Sequence, residues 1–209
     1  MQKEEFINKV LTVINEHDVE LSEFIGSDTA QIRAHIESLF PAVWVAAVRR
    51  FPHHLFHTTD FSSRVVTADL PQGRGYITLP ADWLALAEYK MQGWENSCYE
   101  VQAPDSPTAL KQRNKYVCGS PQRPVCVIEN KGNASILSYY SLPKHYTKHN
   151  VEKATYIKSL TAIPAVIPVY DGVISALVYL LASATMKTLN KDEISKTLDK
   201  EVDSFVSGN

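Results

Sequence analysis

Val169-Tyr170-Asp171-Gly172-Val173-Ile174-Ser175-Ala176-Leu177-Val178-Tyr179-Leu180-Leu181-Ala182-Ser183-Ala184-Thr185-Met186-Lys187-Thr188-Leu189 reads as the strongest helix in the chain. Val173, Ile174, Leu177, Val178, Leu180, Leu181 and Met186 spread apolar surface over a wide arc, so the helix must be enclosed by other elements. Ala176, Ala182, Ser183 and Ala184 keep part of that surface thin. Enclosure needs neighbours, and the helices available are those of the N-terminal region. The ends of the chain are therefore expected to meet, with the middle as an excursion between them.

Working outward, Phe6, Val10, Val13 and Ile14 recur at helical spacing in a first short helix. Ser27 or Asp28 is expected to cap a second helix in which Ile32, Ile36, Leu39 and Phe40 share a face. Pro41 should kink that helix or begin a new one, because proline lacks the N–H and clashes with the preceding turn. Phe51-Pro52 should end it. On the C-terminal side, Asn190 with Glu193 three residues on resembles a capping box, and Ile194, Leu198, Val202 and Phe205 stripe a last helix. That stripe is narrow enough to dock on its own chain or on a partner.

From about Phe61 the period changes to two. Arg64-Val65-Val66-Thr67-Ala68 and Tyr76-Ile77-Thr78-Leu79 are extended runs joined through Gln72-Gly73-Arg74-Gly75, and Leu86 to Gln92 alternates as another strand. The clearest hairpin pairs Val125-Cys126-Val127-Ile128-Glu129 with Ala134 to Tyr140 across Asn130-Lys131-Gly132-Asn133. The expected fold class is α+β: a helical bundle from residues 1–60 and 169–209, interrupted by a β-rich insertion at 61–168.

Composition narrows the function classes. The 209 residues are 44% hydrophobic and carry 21 Lys+Arg against 23 Asp+Glu, enough apolar material for a core and no sign of a disordered chain. Basic and acidic residues number 5 and 9 in 1–60, 12 and 8 in 61–168, and 4 and 6 in 169–209. A middle of +4 is too mild for a dedicated nucleic-acid binder but suits an acidic partner or self-association between unlike faces. The acidic start carries no apolar segment of a secretory signal, and the uncharged run 172–186 falls short of the ~20 residues that span a bilayer. A soluble protein without membrane contact is expected. Cys98, Cys118 and Cys126 match neither a disulfide framework nor a zinc knuckle and read as reduced thiols.

The densest ionisable cluster is His53-His54-Leu55-Phe56-His57 with Asp60. On a helix, His53 and His57 would share a face and could hold zinc with Asp60 as third ligand, the basis of a small metal-dependent hydrolase. Pro52 and Thr58-Thr59 favour a loop, and the plainer reading is structural or solvated histidines. His145 and His149 raise the same question without a third ligand. No cysteine has the surroundings of a nucleophile, Gln72-Gly73-Arg74-Gly75 lacks the remainder of a phosphate loop, and Asn133-Ala134-Ser135 matches a glycosylation acceptor only by pattern. Trp83 and Trp94, with Tyr139, Tyr140, Tyr146 and Tyr156, are core candidates, and the two tryptophans are also candidate interface anchors. Expected site assignments are thus no catalytic, cofactor or metal residue, with Ile194, Leu198, Val202, Phe205, Trp83 and Trp94 as interface candidates.

Gly75-Tyr76-Ile77-Thr78-Leu79-Pro80-Ala81-Asp82-Trp83-Leu84 resembles the strand and Leu-Pro-x-Asp-aromatic-Leu element of tailed-phage head-to-tail adaptor proteins. Ile163-Pro164 through Ile167-Pro168-Val169-Tyr170-Asp171 resembles the lead-in to their long C-terminal helix. The order of helices, β-rich excursion and two further helices is also similar, in the manner of the tail tubular protein A type of short-tailed phages and of neck ring proteins in crAss-like phages. The resemblance implies a non-enzymatic structural protein of the bacteriophage virion, in the neck or tail and assembled in the host cytoplasm. It implies a homo-oligomeric ring, commonly a dodecamer, bound to the portal protein and other neck or tail proteins, with double-stranded DNA passing through without specific binding. It carries over no cofactor and no catalytic residue.

Overall fold

The computed structural model describes residues 1–17, 19–64, 66–70, 73–112, 114, 116–132, 134–142 and 149–207. The protein is α+β, with helices at both ends of the chain and a β-rich middle. It divides into two compact units: Met1–His57 with Ser159–Asn209, and Thr58–Lys158.

In the helical unit, α1 (Lys3–His17) buries Phe6, Ile7, Val10, Leu11, Val13 and Ile14 along one side, as its apolar spacing requires. Helix α2 runs from Val19 to Arg50. The expected cap at Ser27 or Asp28 is therefore corrected, since both lie inside a continuous helix. Pro41 is also inside it, and no second helix begins there. Proline forfeits one backbone hydrogen bond, but Ile36, Phe40, Val43, Trp44, Ala47 and Val48 bury a face that spans it. That burial, at roughly 1.5–3 kcal/mol for each large side chain, outweighs the ~3 kcal/mol that proline costs a helix interior. The rings of Phe6, Phe40, Trp44 and Phe56 pack in series, with centroids 6.1, 6.1 and 5.4 Å apart.

Helix α4 (Asp171–Thr188) packs against α1, α2 and α5 (Asp192–Ser207) and buries Val173, Ile174, Leu177, Val178, Leu181 and Met186. Its small residues admit α5 closely: Ser183 Oγ lies 3.1 Å from the Ser195 carbonyl oxygen, to which it donates, and 3.0 Å from Ser195 Oγ, all buried. The α4–α5 junction corrects the capping box. Asn190 is not the start of α5 but the left-handed residue that ends α4, with φ 58°. Its N–H donates to the Lys187 carbonyl and that of Lys191 to the Met186 carbonyl, the paired bonds of a Schellman stop. Glu193 instead pairs with Lys196.

In the β-rich unit, β2 (Val66–Leu70), β3 (Arg74–Thr78), β5 (Val101–Gln102), β6 (Cys126–Lys131) and β7 (Ala134–Tyr139) form one sheet in the order β2-β3-β7-β6-β5. Strands β1 (Thr59–Asp60), β4 (Trp83–Met91) and β8 (Val151–Lys158) form a second, in the order β1-β8-β4. The β6–β7 hairpin has the expected register, Cys126 opposite Tyr139 and Lys131 opposite Ala134, and Gly132 turns it with φ 63°. Both sheets contribute to one core containing Ile77, Leu86, Tyr89, Met91, Leu137 and Tyr156. The Leu79-Pro80-Ala81-Asp82-Trp83 segment links them as a tight turn in which Trp83 N–H donates to the Pro80 carbonyl. Asp82 Oδ1 accepts from the Tyr156 hydroxyl at 2.7 Å, and burial, followed by this bond, pushes the phenol pKa up to about 12.

Candidate functional site

Between β5 and β6 the chain makes a hydrogen-bonded excursion that opens with a helical turn, α3 (Pro107–Lys111). Ser106 caps it by accepting from the Ala109 N–H, and proline takes the position where its missing N–H costs nothing. Gln112 holds the rest. Only 2% exposed, it donates from Nε2 to the Thr108 carbonyl at 2.9 Å and accepts at Oε1 from the Gly119 N–H at 2.8 Å. Its own carbonyl accepts from Arg74 at 2.7 Å. Gly119 is required here, because a Cβ would meet Ser141 Oγ at 2.4 Å and the Arg123 carbonyl oxygen at 2.9 Å. Ser120 and Arg123 exchange backbone bonds around Pro121 and Gln122, whose carbonyls accept from Glu95 and Asn96.

This scaffold holds apolar side chains out in water. Tyr116 is 83% exposed, Tyr99 58%, Val117 55% and Leu110 48%. A cleft of about 380 Å³ lies alongside, lined by Asn96, Cys98, Tyr99, Thr108, Gln122 and Arg123. Leu110, Tyr116 and Val117 are on this loop and Tyr99 lies just ahead of β5; exposed large hydrophobics grouped in this way are the kind of surface that binding sites use, with tyrosine a favoured anchor in protein interfaces. From 106 to 128 the chain carries Lys111, Arg113, Lys115 and Arg123 and no acidic residue. In the sequence this loop is marked by the Ser106-Pro107 helix start and by the acid-free basic run, and by no hydrophobic period.

The interface candidates fall differently. Leu198 and Val202 are fully buried against their own chain and Trp94 is 3% exposed, so these three are corrected: they are core, not contact surface. Phe205 is half-buried and packs on Tyr179 at 5.6 Å, and Ile194 and Trp83 are also half-buried. The α5 stripe docks within its own unit.

The histidine cluster takes the loop form. His53–Leu55 is one 3-10 turn, the His57 N–H donates to the Pro168 carbonyl, and its ring meets Tyr170 edge-on at 4.7 Å. Asp60 lies in β1 and accepts from the Ser62 N–H, which holds its carboxyl below the usual range. Among the described residues, no group of three or more His, Cys, Asp or Glu could hold a metal ion. His149 Nδ1 lies 2.6 Å from the buried Tyr139 hydroxyl, and burial lowers its pKa. His145, Tyr146 and Asn133 lie outside the described residues. Cys98 and Cys126 are buried neighbours; a hydrogen bond from Cys126 lowers the Cys98 pKa, whereas burial raises that of Cys126. No described helix is long and apolar enough to cross a membrane.

Compared with models of protein families and with characterised proteins, the sequence matched none.

Proposed function

We propose that this chain is a structural virion protein of a tailed bacteriophage, an adaptor of the head-to-tail connector that assembles as a ring in the neck, binds the portal and surrounds the DNA channel. It transforms no substrate. The observation that supports the reading is the loop between β5 and β6 that holds Leu110, Tyr116 and Val117 exposed, with Tyr99 exposed just ahead of β5, apolar area that burial against a partner would stabilise. The chain order supports the same reading: terminal helices enclose α4, a β-rich excursion leaves and returns, and the two segments that resemble adaptor proteins sit at its sheet-to-sheet turn and at the lead-in to α4.

That lead-in is pinned from both sides. Lys3 N–H donates to the Ala165 carbonyl and Ile167 N–H to that of Met1, while Tyr170 N–H donates to the Leu55 carbonyl. A rigid helical module with a contact loop on a second module is what lateral and axial contacts in a ring require. A net charge of -2 suits a channel that passes DNA without gripping it. The test is quantitative mass spectrometry of purified virions, in which the protein should be present at a fixed ratio to the portal, commonly 12 to 12 in the family it resembles. Virions complete without it would overturn the proposal.

A further inference from the structure

Two thiols meet in the core of the β-rich unit. Cys98 is tied to β4 of one sheet: its N–H donates to the Tyr89 carbonyl and its carbonyl accepts from the Tyr89 N–H, each at 2.8 Å. Cys126 opens β6 of the other sheet, opposite Tyr139 of β7 and beside Val101 of β5. Their side chains touch, the Cys126 thiol hydrogen-bonding to the Cys98 sulfur. Cys98 Sγ also donates to the Glu100 carbonyl oxygen at 3.0 Å. The two differ in access. Cys98 is 6% exposed and lines the cleft of about 380 Å³, whereas Cys126 is fully buried.

We infer that Cys98 and Cys126 are a peroxide-reactive pair, in which hydrogen peroxide entering the cleft oxidises Cys98 and Cys126 then closes a disulfide between the two sheets. The order follows from placement, since a small oxidant reaches Cys98 from the cleft and Cys126 only through Cys98. The hydrogen bond from Cys126 lowers the Cys98 pKa and so favours the attacking thiolate, while burial raises that of Cys126 and keeps it a thiol until it is needed. The Cys98 thiolate, its proton released to water, attacks one peroxide oxygen. The O–O bond breaks, Cys98 becomes a sulfenic acid, and the departing hydroxide takes up a proton as water. The Cys126 sulfur then attacks the Cys98 sulfur, the S–O bond breaks, and the Cys126 proton leaves with the hydroxide as a second water. Two thiols lose two electrons and one peroxide gains them, once per chain. The bond closes 98–126, the segment that carries Leu110, Tyr116 and Val117, into a covalent loop.

The test uses the full chain, reduced, freed of reductant, treated with hydrogen peroxide while folded and alkylated after denaturation. Of the three thiols, Cys98 and Cys126 should be consumed together and Cys118 should remain. The intact mass should fall by that of two hydrogen atoms, and a digest without reductant should contain a peptide joining Cys98 to Cys126 that reductant separates. Cys118→Ser should give the same linkage. In Cys126→Ala the resolving thiol is gone, and Cys98 should be trapped as a dimedone adduct; in Cys98→Ala, Cys126 should stay reduced. Three thiols that all remain open to alkylation, a linkage through Cys118 or between chains, or Cys98 carried on to the sulfinic acid in the unsubstituted protein would overturn the pairing. Oxidation of Cys126 in folded Cys98→Ala would overturn the order of attack. Where a core substitution fails to fold, the digests of the unsubstituted and Cys118→Ser proteins decide.

Discussion

Gln112 shows how one buried amide sets a surface. With its side chain removed, the Gly119 N–H and the Thr108 carbonyl lose their partners, and Gln112→Ala should cost about 1–3 kcal/mol. The loss should appear as a lower denaturation midpoint and as faster hydrogen exchange at the Gly119 amide; unchanged exchange there would remove Gln112 from this role. His149 gives a pH dependence with a defined sign. Burial lowers its folded pKa below 6.5, so the folded state binds fewer protons than the unfolded one. Its contribution is present above 6.5 and is lost as pH falls through the folded value. Melting temperature should fall on acidification within that window, and His149→Gln should flatten that part of the profile. An identical slope in the variant would show that another group is responsible.

At the scale of elements, α5 is where sequence and structure part most usefully. The stripe of Ile194, Leu198, Val202 and Phe205 is legible as an amphipathic helix, but spacing does not say whether an apolar face meets its own chain or another. The thin surface of α4 decides it, since Ser183 and Ala182 let α5 approach and a buried Ser183–Ser195 contact fixes the pairing. Leu198→Ala should therefore destabilise the monomer by about 2–5 kcal/mol, measured by chemical denaturation. A loss well under that range, with impaired assembly instead, would mean the residue faces a partner after all. Strands β2, β3 and β4, the β6–β7 hairpin and α4 are legible in the local pattern, whereas β8 between β1 and β4 is not marked by one. Helix α2 is not legible whole, because Pro41 and the Ser27-Asp28 pair are local stop signals that the continuous helix overrides. Asn190 is ambiguous in sequence because the same residue type serves helix starts and left-handed helix ends, and the bonds from Asn190 and Lys191 back to α4 tell them apart. The loop between β5 and β6 does not stand out in the sequence because its exposed tips follow no period; what distinguishes it is exposure held by Gln112 and Gly119.

For the whole molecule, the division into two units makes a prediction about folding. The chain leaves the helical unit once and returns once, and residues 58–158 contain their own core around Tyr89, Leu137 and Tyr156. That segment expressed alone should fold cooperatively, with a dispersed amide spectrum and a single unfolding transition; a molten or insoluble product would show that it depends on the helices. The central claim is that the protein acts by mating with neighbours. Its most direct test is the light-scattering mass of the purified protein mixed with the portal protein of the same virus. A complex carrying a ring of subunits on the portal is the predicted result, whereas a mixture that elutes as free portal and free 23.4 kDa monomer at every concentration would contradict it.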